Sequence, residues 1–142
     1  MPITLSNLSF AEAIQYFSQK LNIPTSTWLD LLKSAHIKAF SVAGATEEAL
    51  LQDIRDAIDA ALKSGTGFEV FKQTFQDIIN THGWSHTGGF DFRARVIYDT
   101  NMDCAYAAGR WEQMNAEGMA EYYPYFRYRT MDDARVRAAH AA

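Results

Sequence analysis

Two apolar patterns of helical period stand back to back in the middle of this chain, and they constrain its fold more than any other feature. Leu50, Leu51, Ile54, Ile58, Ala61 and Leu62 recur at steps of three and four, so in a helix they share one face. Gly65 ends that run, 65–67 reads as an interhelical turn, and Phe68, Phe71, Phe75, Ile78 and Ile79 resume the period until a left-handed stop within 80–83. A helix with one apolar stripe must bury it against another element. The pattern therefore predicts a mainly α protein with an N-terminal helical bundle.

The flanking segments extend that expectation. Ser9 and Glu12 have the spacing of a capping box, and the stripe Phe10, Ile14, Phe17, Leu21 follows until Pro24 stops the helix. Thr27 and Asp30 offer a second capping signal, for a short helix carrying Trp28, Leu31, Leu32 and Ala35. Residues 40–45 read as a connector, and Thr46 as the cap of the third helix. Four helices then fill 1–83. Residues 84–90, glycine-rich and aperiodic, read as a hinge between this region and a second one, 91–142.

In the second region Asp91 is expected to cap a long central helix reaching about Glu117, closed by Gly118. Its broad apolar face holds Phe92, Val96, Ile97, Met102, Ala105 and Tyr106, continuing to Gly109 and Met114. Ala105, Ala108 and Gly109 form a strip of small residues along which another helix can approach closely. Residues 122–129 read as a short extended arm or strand, dense in aromatic and arginine side chains, and 130–142 as helix again. That last pattern breaks off without Gly, Pro or a charged tail, so the chain is expected to continue beyond it.

Composition narrows the function classes. A length of 142 residues suits one compact domain, or a compact domain with an appendage, and the single cysteine, Cys104, excludes an intramolecular disulfide. No apolar run approaches the roughly 20 residues that span a bilayer. The N-terminus lacks the pattern of a secretory signal, so a reducing cytoplasm is the expected compartment. A net charge of −4 opposes bulk attraction to nucleic acid or an anionic membrane. The cations are unevenly distributed. Residues 1–90 hold five lysines and one arginine, whereas 91–142 hold seven arginines, no lysine and eight acids. Guanidinium suits carboxylate, phosphate and aromatic faces, where ammonium mostly solvates a surface.

Motifs that would carry chemistry fail on inspection. Asp99, Asn101 and Asp103 open like a calcium loop, but Cys104 stands where the turning glycine belongs and Arg110 where the bidentate glutamate belongs. His82 and His86 have a zinc-like spacing broken by Gly83, with no further ligand between them. His36, at the end of the second helix, suits the C-terminal end of the helix dipole. No serine occupies a nucleophile elbow and no glycine-rich loop cradles phosphate. Cys104 lies mid-helix among apolar neighbours, and Asp132 and Asp133 are expected to open a helix, where carboxylates stabilise the dipole and can pair with Arg135 and Arg137. The reading is a protein with no catalytic residue, metal site or cofactor.

Arginine remains as the candidate chemistry. Arg93 and Arg95 face the unfavourable end of a helix dipole and so call for partners. Arg127, Arg129, Arg135 and Arg137 are interleaved with Tyr125, Phe126 and Tyr128, the densest cluster of guanidinium and aromatic groups in the chain. That composition typifies hot spots of protein interfaces, and it also suits phosphate with stacked bases. With eight acids in the same region, protein contacts are favoured over DNA.

Three runs are recognisable. Ile97-Tyr-Asp-Thr-Asn-Met-Asp-Cys-Ala-Tyr-Ala-Ala-Gly-Arg110, followed by Pro124-Tyr-Phe-Arg-Tyr-Arg129 and the acidic, arginine-containing stretch from Asp132 to His140, resembles the phage Mu F-like minor head protein family. Trp28, Ala35-His36, Ala39-Phe40, Val42-Ala43-Gly44 and Gly83-Trp84 extend the resemblance over almost the whole chain. Phe126 stands where the family usually has Trp, and Ala138 where proline is common. The resemblance implies a structural minor head protein that joins the procapsid near the portal, with portal or inner capsid proteins as partners and roles in head morphogenesis, DNA packaging or ejection. It implies the host cytoplasm during assembly and then the capsid interior. The alternatives are an accessory domain of a prophage enzyme or toxin, acting through His140, and a DNA-binding head component.

Overall fold

The structure, a computed structural model, describes residues 10–32, 34–127 and 129–130. Ser9, Tyr128, Asp132, Asp133, Arg135, Arg137 and His140 lie outside them, so the N-terminal capping box, part of the candidate cluster and the expected terminal helix do too. Along the chain run α1 (Ala11–Ser18), β1 (Leu21–Asn22), a single 3-10 turn (Trp28–Asp30), α2 (Ala35–Lys38), β2 (Ala39–Phe40), α3 (Glu48–Ser64), α4 (Phe68–His82), α5 (Phe90–Met114) and α6 (Met119–Tyr122). The protein is mainly α, and a two-stranded parallel sheet is the only sheet among the described residues.

Helices α3 and α4 form as their periods predict. Leu50, Leu51, Ile54, Ile58, Ala61 and Leu62 are buried on one, Phe71, Phe75 and Ile78 on the other. Both end on left-handed glycines, Gly65 at φ 66° and Gly83 at φ 59°, where the N–H closes back onto the carbonyl of Ala61 or Ile79. Thr46 is not the cap of α3. The N-cap is Glu47, which makes no side-chain cap bond. Fully buried Phe17, Phe40, Phe71, Phe75, Leu51 and Ile54 centre a core that α1, α3, α4 and α5 all enter. Each such side chain contributes about 1.5–3 kcal/mol. Exposed i,i+4 ion pairs such as Arg95–Asp99, at 3.6 Å, contribute only about 0.3–0.5 kcal/mol. Burial, not surface charge, holds the bundle together.

Between α1 and α3 the structure departs from the helical expectation. α1 ends at Ser18 rather than at Pro24, and Leu21, expected on its apolar stripe, sits in β1 and is 68% exposed. The expected second helix breaks into the 3-10 turn and the four-residue α2, leaving Trp28 and Leu32 exposed. The connector contains β2, whose Ala39 and Phe40 pair with Leu21 and Asn22, and a further bridge joins Thr25 to Ala43. Long-range pairing wins here because Asn22 is fixed from α3. Its side-chain amide donates to Glu48 Oε1 at 3.0 Å and Gln52 Oε1 at 2.6 Å, and its Oδ1 accepts from Arg55 Nη1 at 2.9 Å.

α5 starts at Phe90, one residue before the expected cap, so Asp91 lies in the first turn, where its carboxylate pairs with Lys72 at 2.5 Å. Ile97, Met102, Ala105 and Gly109 are buried as expected, joined by Ala94. Phe92 and Val96 are not on the buried face and are 70% and 42% exposed. The small-residue strip receives α1: Phe10 stacks on Tyr106 at 5.6 Å, and Ala13 lies against Gly109.

Packing divides the chain between Glu112 and Gln113, and residues 84–90 lie inside the first compact unit, Met1–Glu112. Trp84 is the reason. Its indole N–H donates to the Gly44 carbonyl at 3.0 Å while its ring meets Phe75, which also stacks on Phe90 at 5.8 Å. The second unit, Gln113–Ala142, contains α6, which Gly118 precedes at φ 81°. Beyond α6, 123–127 form neither helix nor strand, so the strand alternative fails while an irregular arm remains.

Candidate functional site

Arg93 and Arg95 find partners within the first unit, on different sides of α5. The Arg93 guanidinium lies 5.6 Å from the Trp84 ring and donates through Nη2 to the Ala43 carbonyl. Burial pushes its pKa down, and its Nε is buried with no acceptor among the described residues. Arg95 lies over the Phe68 ring at 3.5 Å and pairs with Asp99. The cations at the positive end of the helix are thus offset by two aromatic faces, a carbonyl and a carboxylate one turn along.

Tyr125, Phe126, Arg127 and Arg129 share one segment of the second unit, and all four are exposed. Tyr125 is 90% and Phe126 64% exposed, with Tyr122 and Tyr123 exposed just before them. Large rings beside guanidinium groups at this exposure have the composition of interface hot spots.

The remaining described titratable groups form no metal site. Among the described residues no group of three or more His, Cys, Asp and Glu is placed to hold a metal ion. Asp99, Asn101 and Asp103 lie within α5, where residues two apart point away from one another and cannot converge on a cation. Asn101 instead donates to the Ile97 carbonyl at 2.8 Å. His82 Nε2 lies 2.6 Å from Asp53 Oδ2, so this histidine ties α4 to α3. His36, in α2, stacks on Trp28 with ring centroids 3.7 Å apart. Cys104 is exposed, not enclosed by apolar neighbours. No described helix is long and apolar enough to cross a membrane.

The sequence reading missed Lys20. It is only 8% exposed, and its Nζ donates to the His36 and Ala39 carbonyls at 3.3 Å each, with the Tyr16 ring 5.4 Å away. Burial lowers its pKa, an effect the nearby Cys104 thiol partly opposes. Nothing in its neighbourhood of the sequence signals this, because both acceptors belong to residues sixteen and nineteen positions away.

The described residues thus assemble a mainly helical protein with an exposed aromatic and guanidinium segment at 122–127. The chain belongs to the family described as Phage Mu protein F like protein, whose model matches residues 52–142. It is 33% identical, over 99% of its length, to a protein of Escherichia phage Mu named capsid assembly protein F, and covers 36% of that protein. It is 36% identical, over 83% of its length, to the Mu-like prophage FluMu F protein of Haemophilus influenzae, of which it covers 30%. The chain therefore spans about a third of the length of these relatives. No solved structure gives a significant match.

Proposed function

We propose that this chain is a structural part of a phage or prophage head assembly protein, and that it contacts portal or inner capsid proteins through Tyr125, Phe126, Arg127 and Arg129, with Tyr128, Arg135 and Arg137 completing the cluster. Family membership and a relative named for capsid assembly support the head role. The observation that carries the contact surface is the exposure of Tyr125 and Phe126 beside Arg127, since rings of this size gain most when a partner removes them from water. Arg93 and Arg95, in the first unit, belong to the same reading as further contact residues, and their contacts to Trp84 and Phe68 make them a secondary part of it. The protein acts without catalysis, in the host cytoplasm during assembly and then inside the virion.

Co-expression with the portal and capsid proteins of the same prophage, followed by isolation of heads, tests this reading. Incorporation that requires portal, and that Tyr125→Ala with Arg127→Ala abolishes while the thermal melt is unchanged, is the expected result. Incorporation indifferent to both substitutions removes the cluster from the interface. Heads that never contain the protein remove the head role itself.

A further inference from the structure

Two adjoining cavities of about 280 Å³ each lie along α5. Trp28, Ser41, Thr100 and Asn101 line both, Arg93 lines the first and Lys20 the second. Together they follow α5 from Arg93 to Cys104, about 16 Å of helix axis at 1.5 Å per residue. Roughly five residues of extended chain cover that length. All these residues belong to the first compact unit.

The groove is lined by cations and, among the described residues, by no acid. No carboxylate lines either cavity, and neither Lys20 nor Arg93 has an acid within ion-pair distance among the described residues. The two carbonyls that receive the Lys20 ammonium take up two of its three N–H groups, and the buried Arg93 Nε–H has no acceptor among the described residues. Withdrawing a cation from water is costly unless an anion or further acceptors compensate. Lys20 is buried and Arg93 half-buried, and although acids outnumber Lys and Arg by 17 to 13 in the chain, neither cation faces one among the described residues. Between them stands an apolar surface, the Trp28 indole at 55% exposure and Val96 at 42%.

We propose that this groove receives an extended acidic segment of a partner protein, with one carboxylate at Arg93, a second at Lys20 and an apolar side chain against Trp28. A peptide carboxylate fits better than a nucleic-acid backbone. Only two cations are present, both recessed beside apolar walls, and the overall charge of −4 repels a long polyanion. The groove belongs to the first unit and shares only Arg93 with the reading above, and peptide binding is measured without heads, so either reading can fail without the other.

The test uses the whole chain and a fluorescein-labelled peptide with a glutamate at each end of an extended, leucine-containing middle, followed by anisotropy and by chemical-shift changes at the indole N–H of Trp28. Replacing both glutamates by glutamine should weaken binding about tenfold or more, the loss expected when charge-assisted hydrogen bonds go. Thr100 is exposed and lines both cavities. Thr100→Glu should therefore repel the peptide by about tenfold or more while Thr100→Gln binds as the parent does, with the thermal melt unchanged for both. Failure of the glutamate peptide to bind, equal binding of the glutamine version, or indifference to Thr100→Glu overturns the proposal. Binding of labelled DNA that the peptide displaces overturns the choice of partner.

Discussion

Gly109 of α5 sits so close to Ala13 of α1 that a Cβ built on it would lie 2.7 Å from the Ala13 backbone nitrogen and 2.9 Å from the ring of Phe10. Backbone cannot yield as a side-chain tip can, so the contact fixes the spacing of the two helices. Ordinarily an alanine in place of a helical glycine gains about 1 kcal/mol of helix propensity. Here overpacking, at about 1–3 kcal/mol, wins. Gly109→Ala should lower the melting temperature, and a variant that melts at or above the parent's temperature would contradict the close approach.

Trp84 should be a stabilising residue of the first unit rather than part of a mobile joint. Trp84→Phe leaves the part-buried Gly44 carbonyl without its indole donor and puts a smaller ring in place of the indole under Arg93. The expected loss is about 1–3 kcal/mol, the cost of an unsatisfied buried acceptor. Urea unfolding reads it as a lower midpoint at constant slope. An unchanged midpoint would show that 84–90 contributes nothing to the packing of that unit.

The turn that carries Trp28 should be pH-sensitive at its base. Asp30 accepts from the Thr27 hydroxyl at 2.7 Å and from the N–H groups of Thr27 and Ser26 at 2.8 Å each, and these bonds hold its carboxyl below the ordinary aspartate value. A depressed carboxyl stabilises the fold above its unfolded-state pKa and loses that contribution as pH falls through its folded-state value. Carboxyl-detected NMR should show Asp30 titrating lower than the exposed aspartates. Asp30→Asn should be less stable than the parent at neutral pH, with the difference vanishing in acid. A midpoint at or above the ordinary value would contradict the turn geometry.

Double-stranded DNA should bind weakly. A phosphate binder with six or more contacts loses on the order of a thousandfold in affinity between about 50 mM and 200 mM salt. The acids within 91–142 and the net charge leave few arginines for such contacts. Tight binding with that slope, lost in Arg127→Ala with Arg129→Ala, would make the aromatic segment a nucleic-acid surface.

Much of the candidate surface was legible because its signal is local. Tyr125, Phe126, Arg127 and Arg129 are neighbours in sequence, and no buried partner is needed to place them together. Arg93 and Arg95 announced their need of partners through their position at the start of a helix. The identity of those partners was not legible, since Ala43 lies fifty residues from Arg93. Lys20 carried no signal and Trp28 read only as an apolar helix position and a point of family resemblance, because what joins them is a groove, without an acid among the described residues, built from separate parts of the chain.

By itself the sequence determined the long amphipathic helices and their stops. The period of Leu50 to Leu62 and of Phe68 to Ile79, and the left-handed glycines at 65 and 83, act within a few residues and need no distant contact. It also determined that the strip at Ala105 and Gly109 would admit a close neighbour. Only the tertiary structure decided the course of 19–47, where strands of two residues have no period to read and exist because Leu21 and Asn22 meet Ala39 and Phe40. It likewise decided which face of α5 is buried. The helix spans 25 residues, but the core covers Ala94, Ile97, Met102, Ala105 and Gly109 and leaves Phe92 and Val96 in solvent. Apolar character marks residues that can be buried, whereas the position of the neighbouring helices decides which of them are.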